Sequence, residues 1–433
     1  MLRVTVDPFR WRSTVISSSL SYDVVIIGAG IVGLATGLEL CTRFPNILLA
    51  IVDKERTVGA HQTSHNSGVI HSGIYYQTGS LKARLCVSGA TEMIRFCEEH
   101  GVPYELCGKI IVATTQDEIS RLEELYRRGT ENGLVGLRMM SFEEIRELEP
   151  FAAGIRGIHV PSTGIVDYAR VAEKYAELIV SHGSKVLLSH EVFGISISSS
   201  RTTVETTQGE FSAKLVINCA GLQSDRISRM ARAKLDLEII PFRGEYYDLA
   251  PSKTHYLKGL IYPVPDPRFP FLGVHFTRRI GGGVEAGPNA VLALEREGYS
   301  KSAFDVRDVM EFTTFPGFWI MAAKHWKTSL GEYYRSWHKA SFVRALQRLM
   351  PVITEQDLIP GGSGVRAQAL DRHGRLLDDF RFAYTEGMVH VCNVPSPAAT
   401  ASLAIGRYIV DTLVQQGRLR GKLDHGGLRR DRA

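Results

Sequence analysis

The segment DVVIIGAGIVG, Asp23 to Gly33, decides the fold. The apolar, β-branched run from Asp23 to Gly28 predicts a buried parallel strand. Gly28, Gly30 and Gly33 then form G-x-G-x-x-G, and Leu34 to Cys41 can continue as a helix. A second apolar run, Ile47 to Val52, ends at Asp53. Strand, glycine turn, helix, strand and acid make one βαβ unit. In such a unit Gly28 permits the tight turn. Gly30 lets the backbone approach a pyrophosphate, and Gly33 lets the helix pack close on the strand. The helix N-terminus offers N–H groups and partial positive charge to phosphates. Asp53 is placed to accept hydrogen bonds from ribose hydroxyls, and it would repel a 2′-phosphate. A glycine-rich turn that merely packs on a sheet would need strand, helix and acid to coincide by chance. The unit therefore reads as an adenine-dinucleotide site.

No second strand-G-x-G-x-x-G-helix follows. The runs Gly281–Gly283 and Gly361–Gly364 lack the spacing, so one dinucleotide is expected. Downstream, helices are expected at Leu81–His100, Asp117–Gly129 and Tyr168–His182, and a strand at Lys109–Ala113. Ser141 to Glu144 has capping-box spacing, and Asp167 is placed as an N-cap. The stretch Leu235–Ala286 is β-rich and 303–350 mainly helical. A strand at Met388–Cys392 and a helix from about Ala398 to Gln416 close the chain. The expected architecture is a discontinuous α/β nucleotide-binding domain with a β-rich α+β domain inserted, and a cleft between them.

The 433 residues are 44% hydrophobic and 22% charged, an ordinary globular composition that excludes a disordered, collagenous or disulfide-scaffold chain. No run is long and apolar enough to span a bilayer; Val24 to Leu38 is short and broken by glycines. The net charge of +5 sits at the ends. Arg3, Arg10 and Arg12 outweigh Asp7 at the start. From Gly417 onward six cations face Asp424 and Asp431, which leaves the body near neutrality. A nucleic-acid binder would carry its charge on the folded body, so none is expected. The ends read as solvated tails or, alternatively, as a membrane-surface device. In the second case deleting Gly417–Ala433 should abolish membrane association. The first twenty residues, Arg- and Ser-rich and poor in acids, are a flexible start or a targeting segment. The cysteines at 41, 86, 97, 107, 219 and 392 form no C-x-x-C pair and suggest a reducing compartment.

The second motif is HQTSHNSGVIHSGIYY, His61 to Tyr76. Its small, glycine-punctuated residues can bring backbone close to a flat ring. Three histidines invite a metal, but their spacing matches no zinc motif and no metal is expected. His71 is the favoured base, because imidazole titrates near neutrality.

That motif, GSLKARLC at 79–86, PFRGEYY at 241–247, GPNAVLA at 287–293, GVRAQALD at 364–371 and NVPSPAAT at 393–400 resemble the FAD-dependent L-2-hydroxyglutarate dehydrogenases, which are D-amino-acid-oxidase-like flavoproteins. The resemblance runs from Tyr22 to about Thr412. Ser363 and Val394 stand where alanine is expected. It implies a Rossmann-like FAD-binding domain, its ADP half held by Gly28, Gly30, Gly33 and Asp53. Thr63, Ser64, Ser67 and Gly68 would approach the flavin, with Ala220 and Gly221 nearby. The turn Pro395, Ser396, Pro397, Ala398, Ala399, Thr400 would set N–H groups at a helix start near the flavin pyrimidine. FAD-binding segments would cover 21–105, 151–235 and 359–416. Substrate-domain segments would cover 106–150 and 236–358, between terminal segments 1–20 and 417–433.

The implied reaction converts L-2-hydroxyglutarate to 2-oxoglutarate by hydride transfer from C2 to flavin N5. Arg366 and Arg243 are candidates for the two carboxylates, unless salt bridges to Glu245 or Asp371 occupy them. Tyr262 and Gln368 are further hydrogen-bond donors or simply core. Electrons would pass to a membrane quinone or another carrier, from a peripheral position on the cytoplasmic face of a bacterial membrane or in mitochondria. The alternatives are a related amine or amino-acid oxidase, and a non-catalytic flavoprotein serving assembly or modification.

Overall fold

The computed structural model describes residues 20–267 and 272–419. The expectations for the first nineteen residues, and for the tail beyond Leu419, lie outside these.

The first strand, Leu20–Ile27, lies in the middle of the five parallel strands of an eight-stranded sheet. The order is Met388–Asn393, Gly209–Asn218, Leu20–Ile27, Leu49–Val52 and Lys185–Leu187. Both faces of the first strand are covered, which explains its uninterrupted apolar run. Val24 and Ile26 pack against the helices Ile31–Arg43, Tyr168–Ser181 and Ser402–Gln415. Val25 and Ile27 face Val216, Ile227 and Met388 on the other side.

A second sheet of nine strands carries the inserted domain. The sheet pairings move two expected boundaries. Arg156–Val160 pairs with Lys109–Ala113, and Leu358–Asp371 pairs along Leu237–Leu249. Both strands therefore belong to the second sheet, where 151–235 and 359–416 were expected to serve the first. A small sheet of Val69–Ile70, Gly164–Val166 and Tyr104–Glu105 lies between the two.

Alternation along the second sheet separates two functions. Ile110, Val112, Ile261, Phe276 and Ala286 pack on one face against Phe342, Val343 and Leu346 of the helix Lys339–Gln347. Lys109, Ile111 and Tyr262 point the other way, toward Val69 and Ile74 of the His61–Tyr76 segment. His275 shares that face, because its ring lies against Tyr262.

The basic tail does not begin free at Gly417. Gly417 ends the last helix in the left-handed region at φ 68°. The Arg418 amide then bonds back to Leu413 O, as in a Schellman-type stop. Arg418 Nη1 donates to Thr385 O at 2.9 Å, and Leu419 is buried.

Candidate active site

The glycine turn is built as its spacing requires. Gly28 has φ 109°, and a Cβ there would collide with the Cys219 carbonyl. A Cβ at Gly33 would collide with the Gly28 carbonyl. At Gly30 the nearest atom to a Cβ would be Thr63 Oγ1, at 3.7 Å. Two glycines thus close the turn on itself, and the third leaves its surface open for an approaching group. The Thr63 hydroxyl accepts from Ile31 N, the first helical amide, at 3.0 Å. The amides of Val32 and Gly33 head the helix without intrahelical acceptors. Asp53 follows the second strand. Its carboxylate accepts from Ala29 N at 2.6 Å and Glu55 N at 2.9 Å, so it is fixed beside the turn with lone pairs to spare. An open glycine face, helix amides and an adjacent carboxylate fit the diphosphate and ribose of FAD.

The other expected cofactor residues surround this cradle. Ser64 Oγ donates to Gly59 O at 2.7 Å. Ser67 is half-buried. The Gly68 amide donates to Asn66 Oδ1 at 2.8 Å, and Gly68 lies close under the Val166 carbonyl. The Ala220 amide donates to Asn218 Oδ1 at 3.1 Å, and Gly221 faces the Gln62 amide.

The final helix begins at Ser402, four residues later than its sequence suggests. Pro395 to Ala401 form successive turns, with Ala398 N bonded to Pro395 O and Ser402 N to Ala399 O. Ser396 hydrogen-bonds Tyr76. Thr400 Oγ1 accepts from His71 N at 3.1 Å and lies 2.8 Å from the Tyr168 hydroxyl. The two most specific sequence blocks, 61–76 and 393–400, are thereby stitched together.

The facing wall is cationic. Lys109 is 1% exposed, and its Nζ has no hydrogen-bond partner. That ammonium lies 4.6 Å from the Tyr75 ring centroid and 5.0 Å from that of Tyr262. His71 Nδ1 and the Tyr75 hydroxyl are likewise buried and unpartnered. The Tyr262 ring lies tilted against His275, centroids 3.9 Å apart, and its hydroxyl lies 3.5 Å from Thr277 Oγ1. His275 Nδ1 donates to Gly273 O at 2.9 Å, which leaves Nε2 as the lone-pair nitrogen. Arg366 hydrogen-bonds the Tyr246 hydroxyl.

Burial, reinforced by the cations around them, pushes both histidines down to about 3. For His71 the charges are Lys109, His275 and Lys82; for His275 they are Arg366 and Lys109. Burial lowers Lys109 itself to about 7. Buried polar groups ordinarily find partners. Three that do not, the Lys109 ammonium among them, stand on one wall with Arg366 and make a site whose chemistry matches a polyanion.

The wall gathers His71, Arg366 and Tyr262, as the sequence suggested, but not Arg243. Phe242 is the cross-strand partner of Arg366, so Arg243, one residue on, points to the opposite face. There its guanidinium pairs with Glu245 at 2.9 Å and donates to Ser300 O at 2.8 Å. The salt bridge to Glu245 is thus the arrangement that forms. Gln368 also departs from expectation. Its amide donates to Leu377 O at 3.1 Å and Ala369 O at 3.4 Å, tying strand to loop.

Sequence reasoning missed Lys109, Tyr75, Tyr246 and His275. Lys109 carried a signal: a charge at the head of KIIVA, a strand buried at every position. His61 and His65 are hydrogen-bonded loop side chains. His61 does come within ligand distance of Glu55 and Glu297, which lie outside the motif, Glu55 six residues upstream. Lys54 already bridges those carboxylates, at 2.8 Å to Glu297.

The family model described as FAD dependent oxidoreductase matches residues 23–412. The L-2-hydroxyglutarate dehydrogenase of Indibacter alkaliphilus is 53% identical over 388 residues, covering 89% of this chain and 97% of that protein. The human protein named L-2-hydroxyglutarate dehydrogenase, mitochondrial, is 45% identical, covering 92% and 90%. The Escherichia coli K12 L-2-hydroxyglutarate dehydrogenase is 43% identical, covering 90% and 92%. Among solved structures, the FAD-bound L-alpha-glycerophosphate oxidase of Mycoplasma pneumoniae superposes with a TM-score of 0.75 at 22% identity, covering 91% of this chain and 95% of that one. Glycine oxidase from Geobacillus kaustophilus gives 0.69 at 20% identity, covering 96% and 100%. These two share the fold. No helix among the described residues is long and apolar enough to cross a membrane.

Proposed function

The chain belongs to the FAD-dependent oxidoreductase family and, within it, to the L-2-hydroxyglutarate dehydrogenases; from that premise we propose that it oxidises L-2-hydroxyglutarate to 2-oxoglutarate, with Lys109, Arg366 and His71 handling the diacid. When bound, FAD supplies the acceptor for the C2 hydrogen and its electron pair. Gly30 and the amides heading the first helix hold its diphosphate, and Asp53 its ribose. Thr63, Ser64, Ser67, Gly68, Ala220, Gly221 and the Pro395–Thr400 turn line the rest of its path.

Arg366 takes one substrate carboxylate as a planar fork, and the Lys109 ammonium neutralises the other. The Tyr75 hydroxyl donates to the substrate, and the Tyr262 ring packs beside the Lys109 ammonium. His71 Nδ1 accepts the proton of the C2 hydroxyl. The negative charge of a diacid beside these groups opposes the burial that depresses both and, at His71, the repulsion from Lys109, and so raises both from their depressed values. Lys109 is then charged, and His71 becomes basic enough to hold a proton. Together these residues fix the C2–H bond in one orientation, a positioning contribution above all. Electrons leave to a membrane quinone or another carrier, and the protein works as a peripheral membrane protein of a bacterial cytoplasmic face or of mitochondria.

The observation that carries this reading is the trio of buried, unpartnered atoms, Lys109 Nζ, His71 Nδ1 and Tyr75 Oη, on the wall that also bears Arg366. The test is anaerobic mixing with L-2-hydroxyglutarate while following the flavin band. D-2-hydroxyglutarate, lactate and glycine serve as controls. Bleaching by the L-diacid alone is expected. Bleaching by glycine would move the chain to the amine oxidases, and bleaching by none would favour a non-catalytic role.

A further inference from the structure

The helix Pro316–Trp337 has one face docked and one face free. Phe318, Met321 and Ser336 are buried beneath it. The Tyr333 hydroxyl donates to Leu292 O at 2.8 Å, and Ser336 Oγ donates to Glu245 at 2.6 Å. On the opposite side Trp319, Ala323, Trp326, Leu330, Tyr334 and Trp337 follow one another at three- and four-residue spacing. They form a single stripe about 27 Å long. Its five large side chains are between 53 and 68% exposed. The whole chain has four tryptophans, and three stand here in water. Scattered exposed apolar residues need no explanation, but a continuous aromatic stripe does.

Its charges point to the occupant. Lys324 and Lys327 are exposed beside Trp326, with Lys327 Nζ 5.5 Å from the Trp326 ring. Lys301 lies 5.2 Å from the Trp337 ring. The one acid of the helix, Glu332, is turned inward and bonded to Arg335 and the Ala290 amide. The free face therefore carries tryptophan, tyrosine, leucine and lysine without an outward carboxylate. Tryptophan and tyrosine favour the headgroup level of a bilayer, and flanking lysines favour anionic lipid. A second copy meeting the same stripe across a two-fold axis would bring like charges together. We propose that this stripe docks the protein on the surface of an anionic phospholipid bilayer, lying in the interface plane.

The inference deepens the membrane-acceptor reading above and rests on it only for the purpose of docking. Flavin bleaching by L-2-hydroxyglutarate reports the substrate reading separately from vesicle binding, so either can fail alone.

The test is flotation of the full-length holoenzyme with phosphatidylcholine vesicles, with and without phosphatidylglycerol. Flotation is expected with the anionic vesicles, accompanied by a blue shift of tryptophan emission. The double variant W326S/L330S should lower the partition coefficient by about tenfold or more. The variant K324E/K327E should abolish the preference for phosphatidylglycerol. Both variants should bleach with substrate at the wild-type rate, which establishes that they are folded. The proposal is overturned if the wild type ignores anionic vesicles, or if both variants float like it. It is also overturned if deleting 420–433 abolishes flotation while the stripe variants leave it intact. Light scattering that shows a dimer dissolved by W326S/L330S would assign the stripe to a second copy instead.

Discussion

Arg296 and Lys109 are the two most deeply buried cations of the described residues, 2% and 1% exposed, and their surroundings are opposite. Arg296 donates to Asp225 Oδ2 at 2.9 Å, Glu238 at 3.0 Å, Glu311 at 3.1 Å and Leu222 O at 2.7 Å. Arg226 and Arg229 complete that network through Asp308, Glu311 and Glu238. It joins the helix Ser224–Met230 to the strand Leu237–Leu249 and the helix Val306–Thr314. Lys109 has aromatic faces beside it and no carboxylate bonded to it. Burying a charge is costly unless it is paired and hydrogen-bonded. Arg296 meets that condition within the fold. Lys109 does not meet it within the fold, and on the function proposed above the bound diacid supplies what is missing. The first cluster belongs to stability, and the second holds stability in reserve for a ligand.

Removing each cation should separate the two roles. Arg296→Met leaves four largely buried carboxylates with two arginines. A loss of about 3–5 kcal/mol is expected, read as a fall in the urea midpoint of the holoenzyme, while the folded fraction keeps its kcat. If Arg296→Met instead spared stability and abolished turnover, the division would be wrong.

Lys109→Met should do the reverse. Transition-state stabilisation should fall by about 10²–10³-fold in kcat/KM. The apo-like protein, measured without diacid, should become more stable near neutral pH, because an unpaired buried ammonium is replaced by an isosteric apolar chain. A variant both inactive and less stable would show that Lys109 serves the fold.

The sequence made much of this legible, and the boundary has a physical cause. The βαβ unit could be read because local spacing alone dictates a turn, a helix and an acid. The loop 61–76 and the turn 393–400 could be located as blocks. Their union through Thr400, His71 and Tyr168 is a contact across some 330 residues that no spacing reveals. The substrate wall was harder still. Lys109, Tyr262, His275 and Arg366 come from separate strands of one sheet, and sheet register decides which face each side chain takes. Arg243 and Arg366 look equally apt in sequence. A one-residue phase difference against Phe242 sends them to opposite sides. The strand Lys109–Ala113 could be read from its apolar run, but the burial of Lys109 with it follows from the sheet on either side, which no local spacing reveals.

That pair of arginines gives the next test. Arg366→Lys keeps the charge but loses the fork, and KM for the diacid should rise about tenfold or more, with D-2-hydroxyglutarate still excluded. Arg243→Lys should change KM by less than about twofold and cost about 1–3 kcal/mol of stability through the pair with Glu245. Steady-state kinetics and thermal melts of the two variants together decide the matter. Equal KM effects would restore Arg243 to the substrate wall.

The last test is the most discriminating, because the two clusters bend the pH dependence of stability in opposite directions. Lys109 is depressed by burial from 10.5 to about 7. Between those values the unfolded chain binds the extra proton, so stability rises with pH across that window and is lost as pH falls toward 7. Glu238 is raised from 4.5 to about 7 by burial first and the neighbouring Asp225 second. There the native state binds the extra proton, so stability falls as pH rises from 4.5 to 7. Those displacements correspond to about 5 kcal/mol for the upper limb and about 3 kcal/mol for the lower. Lys109→Met should flatten the upper limb alone and Glu238→Gln the lower limb alone. Saturating 2-oxoglutarate should flatten only the upper limb as well, because a bound dianion returns the Lys109 ammonium toward its ordinary range and leaves the Arg296 network untouched. Melts of the wild type across this range, with and without the diacid, measure both limbs at once. A ligand that altered the lower limb would show that the two clusters are coupled through the strand Leu237–Leu249 rather than separate.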